Sequence, residues 1–361
     1  MKDTNLRIPG PVPLPQETLD LMSRQMINHR GPEYADMLDQ MTKNLQTVLM
    51  TKSDVYFVTA SGTGGMETAI VNTTSPGDKV LSISIGWFGE RFAEISEAYG
   101  CETIKISFEY GEYADPKIIK DYLKKNNDIR AVLITHNESS TGVRNPLKEL
   151  CEIIKTHSDA LILVDAVSSA AGSIISTDAW GIDVVATASQ KSWIAPPGIA
   201  MVSFSDKAWK AYDKSKCPKY YYDMDQYREY LKIGQPPFTP SLTTMYTLHE
   251  SLKNMVNEDI ESIFERHSEI AQFTRDLAKN IGLDILPEEN YASDTVTAIK
   301  LPKNVDGKMI VKQVEKNYNI VLGGGQQKLA GKIIRVGHMG WINQEDIEKS
   351  ILALKETLDT L

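Results

Sequence analysis

The chain has 361 residues, 42% of them hydrophobic and 24% charged, enough to bury a large core and to divide into one large and one smaller domain. A formal charge of −9 argues against nucleic acid or anionic membrane as the main partner, since both reward a basic face, and reads most simply as solubility. Cys101, Cys151 and Cys217 form no CxxC or paired framework, and the six histidines show no ligand spacing, so neither a disulfide scaffold nor a metal site is expected.

The chain starts without the basic stretch and apolar run of a secretory signal, and no apolar run approaches membrane-span length. Its last residues are not the peroxisomal tripeptide, and a cytoplasmic protein is expected. Residues 1–16 carry Pro9, Pro11, Pro13 and Pro15, which forbid helix and favour an extended arm. Strand patterns then follow at 55–60, 79–85, 103–108, 131–135, 161–167, 184–189 and 198–205, alternating with amphipathic stretches such as 146–157. Most of these runs are continuously apolar, the pattern of a parallel sheet covered on both faces in an α/β fold. From about residue 257 the texture changes to a long helix pattern, short strands near 295–301, 320–322 and 333–336, and a final helix from Asn343. The division expected is an arm at 1–16, a large domain at 17–258 and a smaller α+β domain at 259–361.

Ser61-Gly62-Thr63-Gly64-Gly65 stands between a strand and a helix, where glycines admit an anion close to free helix N–H groups. A dinucleotide reading fails because Glu67 occupies the place of the third glycine, and no Gly-Lys-Ser/Thr follows for a nucleotide P-loop. On these residues alone a phosphate cradle and a purely structural turn are equally supported. Gly86-Trp87-Phe88-Gly89-Glu90-Arg91 puts two aromatics past another strand end, able to stack on a flat ring or to pack under the next helix. His136-Asn137-Glu138-Ser139-Ser140-Thr141-Gly142-Val143 gathers small polar groups suited to orienting a ligand. Asp165 and Lys191 end separate apolar strands, where open α/β sheets bind ligands. Together they supply what pyridoxal phosphate needs, a lysine for the imine and an acid for the pyridine nitrogen. Arg335, inside the apolar run Ile333-Ile334-Arg335-Val336, calls for a carboxylate, either a substrate's or an internal Asp or Glu.

In this order the motifs resemble class V aminotransferases of the fold-type I pyridoxal-phosphate enzymes, in particular the alanine–glyoxylate and serine–glyoxylate group with its aspartate-using relatives. The resemblance runs from Pro9-Gly10-Pro11 to Arg335-Val336-Gly337 and includes Ala195-Pro196-Pro197-Gly198 and Thr239-Pro240-Ser241. It implies a large domain with a mostly parallel seven-stranded sheet and a homodimer with shared sites. Lys191 would carry pyridoxal 5'-phosphate and Asp165 would bind its ring nitrogen. Val167 would pack under the ring, Phe88 would stack over it (Trp87 being the neighbouring alternative), and Ser139 would approach the phenolic oxygen. Ser61, Gly62, Thr63 and Gln190 would hold the phosphate together with Thr239 of the partner subunit. Arg335 would clamp the substrate carboxylate, and the Gly10 arm would close the pocket. One departure stands out: Pro236 replaces a phosphate-binding tyrosine of the animal alanine–glyoxylate enzymes, with Gln235 a candidate substitute.

The activity expected is amino transfer from alanine or serine to glyoxylate or pyruvate by a ping-pong route. Aspartate is the alternative donor and would need a second cation, for which Arg30 is the candidate. A cysteine desulfurase is disfavoured because residues 321–330 contain no cysteine. A silent protein that keeps the fold as a binding module is opposed by the presence of both Lys191 and Asp165.

Overall fold

The computed structural model describes residues 4–360. Seven strands form the main sheet in the order Asp54–Thr59, Ile199–Phe204, Val184–Ala188, Leu161–Asp165, Ala131–Thr135, Lys79–Ser84 and Glu102–Ser107. Ile199–Phe204 alone runs against its neighbours; the remaining pairings are parallel. This is the α/β architecture expected, mostly parallel and seven-stranded.

The central strands Ala131–Thr135, Leu161–Asp165 and Val184–Ala188 are buried at every residue, which accounts for their unbroken apolar character. Successive side chains leave the sheet on opposite faces and enter different cores. Leu81, Ile83, Val132, Ile134, Ile162 and Val164 join one cluster. Val80, Ala131, Leu133, Leu161 and Leu163 join the other. Helices cover both faces, among them Gly62–Thr73 and Trp87–Ala98 on one side.

A second sheet is ordered Asn5–Arg7, Ile320–Gly324, Ile333–Gly337 and Val296–Lys300. It has its own core, built with helices Ile260–Asn280, Gly307–Tyr318 and Gln344–Asp359. Its first strand comes from the proline-rich amino-terminal stretch, which pairs in parallel with Ile320–Gly324 before the prolines begin. No helix of the described residues is long and apolar enough to cross a membrane.

Candidate active site

Parallel strands that share a direction also share a carboxyl edge, so the turns after Thr59, Ser84, Thr135, Asp165 and Ala188 converge there. They enclose a cavity of about 210 Å³. Of the residues expected to meet, Ser61, Gly62, Thr63, Phe88, Ser139, Asp165, Val167, Gln190 and Lys191 line it. Trp87 lies outside that lining. Gly10, Arg335 and Thr239 are not among its lining residues: Gly10 packs against the Lys191 side chain, Arg335 bonds the carbonyl of the lining residue Ser139, and Thr239 is exposed.

One end of the cavity is a helix start. Gly62–Thr73 begins just after its strand, and Ser61 makes no side-chain capping bond, so its hydroxyl is available to a ligand. A Cβ on Gly62 would lie 2.6 Å from Val167, which leaves room only for glycine. Arg91 also lines the cavity; it donates to the Thr63 hydroxyl at 3.3 Å and stacks over Phe88 at 4.9 Å. Arg91 was not among the expected site residues; its signal in the sequence is a cation one helical turn after Phe88, on the same helix face.

At the centre, Asp165 receives the Val167 N–H at 2.9 Å and the Thr135 hydroxyl at 3.4 Å. Burial pushes its carboxyl up to about 7; the Val167 N–H opposes the shift, the Glu138 charge adds to it, and the Lys191 charge opposes it. Lys191 is held down to about 8, first by burial, with Asp165 opposing and Arg335 reinforcing the shift. Its ammonium donates to the Pro9 carbonyl, and a Cβ on Gly10, at φ +93°, would lie 2.6 Å from the Lys191 chain. The arm therefore passes directly over this lysine.

Arg335 is 6% exposed, and its guanidinium donates to the carbonyls of Gly324 at 2.9 Å and Ser139 at 2.8 Å. No carboxylate among the described residues forms an ion pair with it, and the one internal acid that acts on it, Glu138, does so at longer range. Burial lowers its pKa to about 10, opposed by the Glu138 charge. Arg30 is placed differently: it donates to Gln235 Oε1 at 3.0 Å, lies over the Tyr230 ring at 5.4 Å and does not line the cavity.

Two further lining groups carry unspent acceptors. Asn137 Oδ1 and Gln190 Oε1 are buried without a protein partner. A buried acceptor left unpaired costs about 1–3 kcal/mol, so both oxygens suit a ligand that carries donors. A helix start for an anion, with an acid and an amine lining the same cavity, matches the chemistry of pyridoxal phosphate.

Comparison with known proteins places the chain in a family. Residues 16–349 match the family model "Aminotransferase class-V". The chain is 41% identical to the soluble hydrogenase 42 kDa subunit of Anabaena cylindrica, covering 98% of this chain and 92% of that protein. It is 35% identical to the L-aspartate–glyoxylate aminotransferase of Paracoccus denitrificans, with 92% and 85% covered, and 33% identical to the serine–glyoxylate aminotransferase of Arabidopsis thaliana, with 94% and 86% covered. The crystal structure of alanine–glyoxylate aminotransferase from Nostoc sp. superposes with a TM-score of 0.95 at 29% identity, covering 99% of this chain and 96% of that one. The chain belongs to the class V aminotransferases and is a pyridoxal-phosphate-dependent transaminase, working on an amino acid and a 2-oxo acid.

Proposed function

We propose that the enzyme moves the amino group of a small neutral amino acid, alanine or serine, to glyoxylate or pyruvate by a ping-pong route. The observation that carries this reading is Arg335, a buried guanidinium that two main-chain carbonyls hold in place and no internal carboxylate neutralises. It can take one carboxylate, which every α-amino acid and 2-oxo acid supplies.

Ser61, Gly62, Thr63 and Gln190 would hold the cofactor phosphate, with the Arg91 charge beside Thr63. Phe88 and Val167 would enclose the ring, and Ser139 would stand near its phenolic oxygen. Asp165 would keep the ring nitrogen protonated. When bound, pyridoxal phosphate supplies an electron sink that stabilises negative charge at the substrate Cα. Lys191, with an amine that is readily neutral, takes the Cα proton as general base and returns it as general acid. The arm at Pro9 and Gly10 limits the space above Lys191, which favours a short donor side chain.

Aspartate is the second reading, favoured by the relative named for aspartate–glyoxylate transfer. Its second carboxylate needs another cation, and Arg30 is already engaged with Gln235 and Tyr230. An unpaired carboxylate in a closed site costs several kcal/mol, roughly a thousandfold in selectivity. Donor half-reactions followed by cofactor absorbance test the choice. Alanine or serine should convert the enzyme more efficiently than aspartate, and a tenfold preference for aspartate would reverse the assignment.

A further inference from the structure

Glu138 is a fully buried carboxylate that the chemistry above does not use. Its Oε2 accepts the N–H groups of Phe88 at 2.9 Å and Gly89 at 3.1 Å. Its Oε1 accepts the Ser140 N–H at 3.0 Å and the Ser140 hydroxyl at 2.6 Å. Ser140 Oγ also receives the Trp87 N–H at 3.0 Å. Glu138 and Ser140 thus satisfy the first three N–H groups of helix Trp87–Ala98, which carries Phe88 and Arg91 into the cavity. The fit is close: a Cβ on Gly86 would collide with the Glu138 side chain.

All four groups around the carboxylate are donors. Three of them are main-chain N–H groups that can only donate, so the shell favours the anion, while the Ser140 hydroxyl alone could turn to accept. Burial raises the Glu138 pKa, and the Ser140, Gly89 and Phe88 donors oppose that shift. The resulting charge forms no ion pair within 4 Å, yet its field reaches three ionisable groups: Asp165, Arg335 and Tyr110. Arg335 donates to the carbonyl of Ser139, the residue next to Glu138.

We propose that Glu138 is a positioning residue of the transamination site, acting as a buried anion in two ways. It fixes the helix start that presents Phe88 and Arg91 to the cofactor. It also serves as the distant countercharge of Arg335, easing the burial of that guanidinium without forming an ion pair with it. The proposal rests on the reading of Lys191, Phe88 and Arg335 given under the proposed function.

Glu138→Gln keeps the size and removes the charge, and its amide turns two donors against two N–H groups or the Ser140 pair. Ser140→Ala removes one hydroxyl and keeps the Glu138 charge. Three quantities are read on the holoenzyme: the dissociation constant for pyridoxal phosphate, the pH midpoint of the bound cofactor's visible absorbance, and KM and kcat for the donor. Glu138→Gln should weaken cofactor binding about tenfold or more and lower the absorbance midpoint, because loss of a nearby anion disfavours protonated, cationic forms. It should also lower kcat without raising the donor KM in proportion. Ser140→Ala should weaken cofactor binding and leave the midpoint unchanged. A Glu138→Gln enzyme with reduced thermal stability but wild-type cofactor affinity and midpoint would reduce Glu138 to a helix cap and overturn the proposal. Should Glu138→Gln fail to fold, a shifted midpoint in Ser140→Ala would contradict the separation of charge from cap. Wild-type protein that binds no cofactor at Lys191 would instead overturn the underlying site reading.

Discussion

Lys191 and Asp165 owe their properties to the same cause. Asp165 ends a strand buried at every position and Lys191 lies in the turn three residues past another, so desolvation disfavours each charge and pushes the two groups toward one another on the pH scale, to about 8 and about 7. An ordinary lysine, near 10.5, gains free amine all the way up to that value. Lys191 reaches its neutral form earlier. Below pH 8 the neutral fraction falls about tenfold per pH unit, and above it the amine is already free. Capture of pyridoxal phosphate by the apoprotein should therefore accelerate with pH up to about 8 and then level, as followed by stopped-flow absorbance. A rate still climbing at about pH 10 would show an unperturbed lysine instead. The positions of Asp165 and Lys191 were legible in the sequence because an ionisable residue at the end of an apolar run has few other uses. Asn137 and Glu138 were visible only as part of a polar string: their roles depend on which neighbour each atom meets, and residue order does not state that.

At the scale of elements, the seven main strands were readable because two-sided burial writes itself as unbroken apolar runs, whereas the helices Pro32–Val48 and Leu242–Glu258, each apolar on one face only, were not singled out. The direction of Ile199–Phe204 was not readable, since the apolar pattern is the same for either orientation. The strand Asn5–Arg7 escaped notice because it is three residues long and sits beside four prolines, and its pairing partner lies more than 300 residues away. Equal support for a phosphate cradle and a structural turn at 61–65 reflects the same limit, because glycine serves both. The structure adds the near-contact between Gly62 and Val167 that glycine alone permits. Gly62→Ala should consequently shift the helix start, raise the dissociation constant for pyridoxal phosphate and cost about 1–3 kcal/mol in stability. Fluorescence titration of the apoenzyme and thermal unfolding measure both. Unchanged cofactor affinity in a folded variant would detach this helix start from the cofactor.

At the scale of the molecule, we propose that the loop that carries Thr239 takes part in a homodimer. Tyr220, Tyr221 and Ile233 are exposed, and Phe238 stacks on Tyr221 with ring centroids 4.7 Å apart, next to the exposed Thr239. An apolar surface of this kind beside a residue absent from its own cavity fits a homodimer in which each loop completes the opposite site. Mixed dimers test this. When Lys191→Ala and Thr239→Ala subunits combine, one site carries both lesions and the other carries neither, so activity should exceed the mean of the separate preparations. Activity that never exceeds that mean, or a fully active monomer, would exclude shared sites.

The claim on which everything else depends is that the cofactor is carried by Lys191, at the carboxyl edge of the main sheet. Borohydride reduction of the holoenzyme followed by proteolysis and mass spectrometry locates that bond directly. The phosphopyridoxyl label is predicted on the peptide containing Ser189-Gln190-Lys191, and it should disappear from Lys191→Ala. A label on any other lysine, or label retained in the Lys191→Ala protein, would contradict the assignment of this cavity as the catalytic site.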